Sequence, residues 1–215
     1  MLLLVVSGTA NLVLYRRMLA DYVRSYMKAG NPALAAYHDK GTVLRLGDEF
    51  RSLLQASPYL KEFAPDFGEH LERFADARLP DAEDFIYWSK EKFGLKPVIS
   101  ITHVTIHRPP RGDPRPVLVA SKQIYASHYF TSSLGLAAFF ESPSGSTGCR
   151  AYLMYLNRSR ADLLGGGVLG ALKRAIVKRR VRAGLEKNLE LTRERLERDC
   201  RLGAGSAMVS LKEKQ

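Results

Sequence analysis

The chain has 215 residues, 46% of them hydrophobic, which is enough for one core of ordinary size and predicts a single domain over residues 1–215. A charged fraction of 26% and a mean hydropathy of -0.18 are typical of a folded soluble protein and exclude a disordered chain or a membrane-spanning bundle. The net charge of +11 and the pI near 9.8 indicate a surface that attracts anionic partners, such as nucleic acid, acidic lipid or an acidic protein.

The start of the chain bears on its compartment. Residues 1–6 are apolar, but this run is too short to span a bilayer, and no basic residue precedes it as in a signal peptide. We expect a cytoplasmic protein, or an exported or periplasmic one if the true start lies upstream. Cys149 and Cys200 lie far apart on different predicted elements, so we expect both to be reduced.

The front of the chain has the apolar spacing of helices. Between residues 11 and 29, apolar side chains recur every three or four residues and fall on one helix face: Leu12, Tyr15, Leu19, Tyr22, Val23 and Tyr26. Residues 30–32 end this helix and can begin a short second one. The same spacing predicts a third helix over residues 48–57 and a fourth over residues 65–74.

The middle of the chain has the pattern of strands. Residues 75–84 are acidic and contain a proline, which is typical of a connector. After it the apolar period becomes two. The predicted strands cover residues 97–108, 116–130, 134–140 and 150–157. Because each is joined to the next by a polar or proline-rich loop, we expect an antiparallel sheet within residues 85–160.

A glycine-rich apolar segment, residues 163–170, leads into the most regular helix of the sequence. The apolar side chains of that helix fall mostly at four-residue steps: Leu172, Ile176, Val181, Leu185, Leu189 and Leu196. We expect it to end near Arg198 and to pack across the sheet. The predicted fold class is α+β, with N-terminal helices in residues 1–75, an antiparallel sheet of about four strands, and a long C-terminal helix that closes it.

The strand predicted over residues 116–130 carries polar side chains at alternating positions: Ser121, Gln123, Tyr125, Ser127 and Tyr129. Regular alternation would place them on one sheet face. Hydroxyl, amide and phenol groups on one face are typical of a ligand cleft, where rings give contact area and hydrogen bonds give orientation. The alternative is a solvent-exposed face, on which Tyr and Ser are also common.

Arg158 and Arg160 end the last predicted strand, just before Asp162. Either guanidinium could bind a carboxylate or phosphate through two parallel hydrogen bonds. The alternative is an arginine–aspartate surface pair that fixes the turn. Glycines 165–167 fit neither the dinucleotide-binding fingerprint nor a P-loop, so we predict no cofactor.

Histidines on neighbouring predicted strands invite the hypothesis of a metal site. His103 and His107 are four residues apart on one strand, which is about 13 Å at ~3.3 Å per residue and too far for one ion. We therefore predict no metal site, with His128 and one of the other two histidines as the alternative. We also predict no catalytic residue. A hydrolase that uses His128 with Glu91 or Asp162 remains an alternative.

Residues 173–182 carry six positive charges and no negative charge: Lys173, Arg174, Lys178, Arg179, Arg180 and Arg182. On a helix they would cover most of the surface outside the apolar stripe. Such a surface is typical of a helix that contacts an acidic membrane, and it also suits the phosphates of a nucleic acid. An ordinary solvated helix face is the third interpretation.

Two segments resemble a family of bacterial proteins, SKQIYASHYF at residues 121–130 and YLNRSR at residues 155–160. That family has no established activity, so the resemblance implies no mechanism. It does imply an exported setting. The order of long antiparallel strands, glycine-rich segment and C-terminal helix is also similar to the helix-grip (START-like) lipid-binding architecture. That architecture begins with a strand and has more strands, whereas this chain begins with helices.

The favoured function is non-enzymatic binding, extending to transport, of an apolar or lipid-like small molecule between the sheet and the C-terminal helix. The polar residues of the strand would orient its polar end, and the two arginines would meet an anionic group. Glycines 165–167 would act as a hinge, and the basic helix would contact an acidic membrane. The alternatives are nucleic-acid binding through the basic helix and hydrolysis at His128.

Overall fold

The structure is a computed structural model, and it describes residues 8–38, 43–92, 97–110, 116–127, 130–142, 150–161, 179 and 182–198. The helices of the first half are α1 (Gly8–Ala29), α2 (Leu46–Gln55), α3 (Tyr59–Phe63) and α4 (Pro65–Glu72), with a 3-10 turn over Asn31–Ala33. The strands are β1 (Ala36–Tyr37), β2 (Leu44–Arg45), β3 (Ala82–Lys92), β4 (Pro97–His107), β5 (Pro116–Ala126), β6 (Phe130–Ser142) and β7 (Arg150–Ala161). Residues 182–198 form a C-terminal helix, α5.

The main sheet of the described residues contains five strands, and each pairs antiparallel with the next along the chain, from β3 to β7. This confirms the predicted α+β class, with helices first and an antiparallel sheet after them. The predicted number of about four strands is too low because β3 was not expected. Its first residues resemble the acidic connector, but residues 85–88 have the aromatic and β-branched side chains that strands favour.

The helices differ from the prediction mainly at their ends. The predicted second helix is only a 3-10 turn followed by β1. Asn31 does not cap a helix there, because its side-chain amide donates to the carbonyls of Leu71 and Glu72, at 3.0 and 2.6 Å. The predicted fourth helix ends at Glu72, and the short α3 before it was not expected.

Helices α2, α3 and α4 cover one face of the sheet, which we call the helix face. Buried apolar side chains from these helices meet those of β5 and β6: Phe50, Leu53, Leu54, Leu60, Phe67, Leu71, Ala120, Leu134 and Leu136. The strand residues among them lie at alternate positions, as expected for one face of a strand. Full burial of each large side chain stabilises the fold by about 1.5–3 kcal/mol, so this cluster is the main apolar core.

Helix α1 packs on the same face over β4 and β5. Tyr26 of α1 is fully buried in a second cluster with Phe74, Ile101 and Ile124. The first turns of α1 differ from the prediction, because Leu12 of the expected buried stripe is exposed. The contacts of α1 with the sheet begin at Tyr15, whose hydroxyl lies 3.0 Å from that of Tyr125.

The C-terminal helix does not close the sheet in the part of the chain that the structure describes. None of residues 182–198 is buried, and Leu185, Leu189 and Leu196 of the predicted stripe are half-buried. The sheet is covered instead by the N-terminal helices, whose aromatic and leucine side chains fill the space against β4, β5 and β6. Residues 163–178 lie outside the described residues. Among those described, no helix is both long and apolar enough to cross a bilayer.

A glycine is required where α1 ends. Gly30 has a φ of 67°, and a Cβ there would collide with the backbone of Phe74 and Ala75. We expect Gly30→Ala to lower the free energy of unfolding by roughly 2–4 kcal/mol, through left-handed backbone strain and displacement of the neighbouring chain. Urea unfolding followed by circular dichroism measures this loss.

The control is Gly184→Ala in α5, because nothing lies within 4 Å of a Cβ at that position. Alanine is favoured over glycine inside a helix, so this variant should be as stable as the wild type or more stable by up to about 1 kcal/mol. Equal stabilities for the two variants would contradict the packing described at Gly30.

Candidate functional site

A chain of hydrogen-bonded polar side chains is buried between the helices and the sheet. It joins α1, the turn after α1, α4 and three strands, and we call it the buried network: Tyr26, Asn31, His70, Asp84, His103, Thr105 and Lys122. Buried polar groups stabilise a fold only when they are paired, so their partners decide what the network can do.

Lys122 forms one end of the network. Its Nζ donates to Asn31 Oδ1 and to the Tyr26 hydroxyl, the latter at 3.2 Å. The same atom lies 3.9 Å from the centre of the Phe50 ring, where the ring's negative face attracts a cation. Only 2% of Lys122 is exposed, and burial lowers the pKa of its ammonium well below the usual value.

Asp84 on β3 forms the other end. One carboxylate oxygen lies 2.9 Å from His103 Nε2 and accepts a 2.6 Å hydrogen bond from the Thr105 hydroxyl, while the other lies 3.3 Å from His70 Nε2. Burial raises the pKa of Asp84, but the hydrogen bonds from His103, His70 and Thr105 outweigh it and hold that pKa well below its usual range.

The pKa values of two histidines in the network are shifted in opposite directions. Burial lowers the pKa of His103, so its ring is neutral at pH 7 and can accept from Tyr26 at Nδ1 while donating to Asp84 from Nε2. Burial also lowers the pKa of His70, but hydrogen bonds to Asp84 and to the Ala77 carbonyl raise it above the usual value. Donors therefore point in one direction from Lys122 through Tyr26 and His103 to Asp84.

An aspartate, an imidazole and a hydroxyl in this order resemble the parts of a nucleophilic site. However, Tyr26 is 0% exposed and His103 is 2% exposed. Lys122, at 2% exposed, is equally covered, and none of the three lines either of the two cavities described below. In this structure the buried network joins α1 and α4 to the sheet.

A separate apolar groove lies between α3 and the far strands of the sheet, and we call it the α3–β7 groove. Its volume is ≈ 890 Å³. Most of its lining is apolar and comes from α3, the start of α4 and strands β5 to β7: Tyr59, Leu60, Phe63, Ala64, Pro65, Asp66, Phe67, His107, Pro109, Pro116, Leu118, Leu136, Ala137, Ala138, Phe140, Met154, Tyr155 and Leu156. Phe63 and Met154 are largely exposed, so the groove opens to solvent through an apolar rim.

Two polar atoms in the lining of this groove are buried and have no hydrogen-bond partner among the described residues. They are the Tyr59 hydroxyl and Nδ1 of His107. Burial lowers the pKa of His107, and the carbonyl of Asp81 hydrogen-bonds its ring. Because Nδ1 has no partner, that bond belongs to Nε2, which leaves Nδ1 of the neutral ring as a bare acceptor.

The other depression described, of ≈ 590 Å³, lies at the edge formed by β3 and the start of β5. Three charged residues line it, Asp81, Glu83 and Arg108, and the last two form an exposed ion pair at 2.8 Å. Charges that satisfy each other at the surface offer little to a ligand, so the α3–β7 groove is the better candidate site.

The predicted polar face of β5 is split by a β-bulge. Gln123 pairs with Thr102, but Tyr125 pairs with the preceding residue Ile101, so Ile124 is an extra residue in β5. Tyr125 therefore turns toward α1, where its hydroxyl lies 3.0 Å from that of Tyr15. Gln123 lies on the opposite face, since its neighbour Lys122 faces Tyr26 of α1.

Ser127 and Gln123, two further residues of this predicted face, make hydrogen bonds to β4. The Ser127 hydroxyl is hydrogen-bonded within the sheet, where it accepts from the backbone N–H of Ile99 at 3.0 Å. Gln123 donates to the Ser100 hydroxyl at 3.3 Å. Tyr129 and His128 lie outside the described residues, as do Cys149 and Cys200.

Arg158 and Arg160 lie on the helix face of β7, beyond the end of the groove. Arg160 forms an ion pair with Glu49 of α2 at 2.6 Å and donates to the Ser52 hydroxyl at 2.8 Å. Arg158 is half-buried and makes no contact of this kind with a described residue. Arg158 pairs with Leu134 of β6, and Leu134 pairs with Lys122, the residue before Gln123, so two strand spacings separate Arg158 from this part of β5.

The predicted membrane or anion contact falls mostly outside the described residues: Lys173, Arg174, Lys178 and Arg180. Arg179 and Arg182 are exposed, and Arg182 pairs with Glu186 at 2.8 Å. Membrane contact and nucleic-acid binding therefore stay predictions. Glu91 is exposed on β3, Asp162 lies outside the described residues, and no group of three or more potential metal ligands occurs among those described.

Sequence reasoning missed the two polar residues of the groove and the buried lysine. Tyr59 stands in a helix that was not expected, so nothing marked it. For Lys122 a signal existed, since it alternates with Ala120 and Ile124, which are buried. His107 was considered only as a metal ligand. It and His103 do share one sheet face, as their spacing predicts, although each contacts different helices.

The chain was compared with protein families, curated proteins and solved structures. No protein-family model, no curated protein and no solved structure matches the chain at a significant level. The function must therefore be argued from the residues themselves.

The depressed pKa of Asp84 predicts acid sensitivity. A carboxylate whose pKa is lower in the folded state contributes stability above its ordinary pKa near 3.8, and that contribution is lost as the pH falls through the folded value. Between about pH 4.5 and pH 2.5, we expect the wild type to lose about 1–3 kcal/mol more unfolding free energy than Asp84→Asn. Urea titrations at a series of pH values measure the difference.

The matched control is Asp48→Asn, which removes an exposed carboxylate paired with Arg51. Its acid slope should equal that of the wild type. An Asp84→Asn protein that lost stability with falling pH as steeply as the wild type would show that the buried network does not set this dependence.

Proposed function

We propose that the protein binds an elongated apolar small molecule with an uncharged polar end group in the α3–β7 groove. One observation carries the proposal: an apolar groove of ≈ 890 Å³ is lined by two residues, Tyr59 and His107, that each have a covered polar atom without a partner. Ligand sites are typically apolar clefts of roughly 300–1,000 Å³ with a few converging polar groups. An unpaired buried polar group is unfavourable by about 1–3 kcal/mol, and a ligand that pairs it recovers this energy.

The groove differs from the place expected from the sequence. The expected ligand lay between the sheet and the C-terminal helix, with its polar end at Gln123, Tyr125 and Ser127. In the described residues those side chains contact α1 or the sheet, whereas the groove lies between α3 and strands β5 to β7. The proposal keeps the apolar ligand and moves its site.

The end group follows from the two polar atoms. Nδ1 of neutral His107 can only accept, so its partner must donate a hydrogen bond. We propose that the Tyr59 hydroxyl, which can donate, binds the same group. An alcohol both donates and accepts, whereas an ionised carboxylate only accepts and would place its charge against the bare lone pair of His107. A long-chain alcohol, amide or sterol-like hydroxyl therefore suits the groove better than a fatty acid.

The rim supports an apolar body for this ligand. The Phe63 side chain is 78% exposed and that of Met154 is 64% exposed, and both line the groove. Large exposed apolar side chains are unfavourable in water unless they meet a partner. A ligand lying along Leu118, Leu136 and Leu156 would cover them.

The test is titration of the full chain with dodecanol and with dodecanoate at pH 7.5, monitored by isothermal titration calorimetry and native mass spectrometry. We expect dodecanol to bind at least about tenfold more tightly than dodecanoate. The alcohol gains a hydrogen bond in the groove, whereas the carboxylate brings an unpaired charge into it. Tyr59→Phe should weaken dodecanol binding about 3–10-fold, which corresponds to a hydrogen bond of about 0.5–1.5 kcal/mol.

Two further variants locate the site. Ala138→Phe adds a ring to the groove lining and should abolish binding, because the added volume takes the place of the ligand. Tyr152→Phe is the control, since Tyr152 is exposed on the same strand region but does not line the groove. Unchanged binding by Ala138→Phe, or no binding of either compound, would overturn the proposal.

A further inference from the structure

A second set of unsatisfied polar atoms lies on β6 and β7, apart from the α3–β7 groove. Ser132 is 3% exposed, and its hydroxyl has no hydrogen-bond partner among the described residues. Arg158 is half-buried, its Nε is completely covered, and that atom likewise has no partner there. A covered guanidinium nitrogen without a hydrogen-bond partner is unusual, because its desolvation is unfavourable unless a partner replaces water.

The register of the sheet brings these two side chains together. Ser132 pairs with Arg160, and the next residue on the same face of β6, Leu134, pairs with Arg158. Ser132 and Arg158 are therefore diagonal neighbours on the helix face, with Cβ atoms roughly 7–8 Å apart. An oxygen held between the guanidinium and the hydroxyl can contact both.

The surrounding charges favour an anion at this position. Arg160, two residues further along the same face, is neutralised by Glu49 of α2 at 2.6 Å and is also held by Ser52 at 2.8 Å. With that pair satisfied, Arg158 contributes one uncompensated positive charge. The side chains that α2 and β7 present here therefore sum to a single positive charge, in a protein that itself carries +11.

We infer that Arg158 and Ser132 form a binding site for a small oxyanion, a carboxylate or a phosphate. The guanidinium offers two parallel N–H groups to two oxygens of such an anion, and the hydroxyl donates a further hydrogen bond. This site is independent of the proposed apolar ligand, because neither residue lines the α3–β7 groove.

The test is isothermal titration calorimetry of the full chain with inorganic phosphate and, separately, with acetate, at constant ionic strength. We expect saturable binding of at least one of them, and the two arms tell a phosphate site from a carboxylate site. Arg158→Gln should weaken that binding at least tenfold. Ser132→Ala should weaken it about 3–10-fold, by the loss of one charge-assisted hydrogen bond.

Arg24→Gln is the matched control, because Arg24 is an exposed arginine that pairs with Asp21 on α1. It should bind the anion like the wild type, and so should Tyr59→Phe, which affects only the groove. Circular dichroism should show that Arg158→Gln is folded, since it removes an unpaired charge. No saturable heat with either anion, or equal affinity in Arg158→Gln and the wild type, would overturn the inference.

Discussion

The arrangement of the helix face depends on a lysine that is buried in the middle of the sheet. Lys122 has to find hydrogen-bond acceptors where no water reaches, and they come from the chain around the end of α1. Asn31 accepts from Lys122 with its side-chain oxygen, and with its amide nitrogen it donates to the last carbonyls of α4. One asparagine thus holds the end of α1, the end of α4 and β5 together.

The turn at Gly30 places Asn31 where it can accept from Lys122. Its positive φ directs the chain so that the backbone N–H of Asn31 donates to the Phe74 carbonyl at 2.6 Å. Tyr26, one turn earlier in α1, then reaches both Lys122 and His103. The buried network and the apolar cluster around Tyr26 therefore form one joint between α1 and the sheet. Apolar packing positions the hydrogen-bonding groups, and their hydrogen bonds in turn fix the position of α1.

The same joint explains where a ligand can bind. Near α1, the polar atoms of the network are paired with one another and Tyr26, His103 and Lys122 are buried, so these side chains support the fold. Near α3, the helix is short and leaves apolar strand residues uncovered, and the polar atoms of Tyr59 and His107 stay unpaired. On this one face of the sheet, paired polar groups therefore mark the structural region, and unpaired polar groups mark the candidate site.

Much of the fold could be predicted because its signals are local. The helical period of α1, the two-residue period of the strands and the loops between them are all read from neighbouring residues. The bulge at Ile124 could not be predicted, since it depends on the register with β4, and it moved Tyr125 to the other face from Gln123. The groove depends on α3 and His107 meeting in space, which no spacing along the chain reveals.

The most direct measurement of the central joint is a double-mutant cycle between Tyr26→Phe and Lys122→Met, with unfolding free energies from urea titration. Both changes nearly preserve side-chain volume, so the cycle reports the hydrogen bond that joins α1 to β5. The account predicts a coupling free energy of about 1–3 kcal/mol between the two positions. Effects that add within about 0.3 kcal/mol would contradict it, because the hydrogen bond between Tyr26 and Lys122 would then not help to hold α1 on β5.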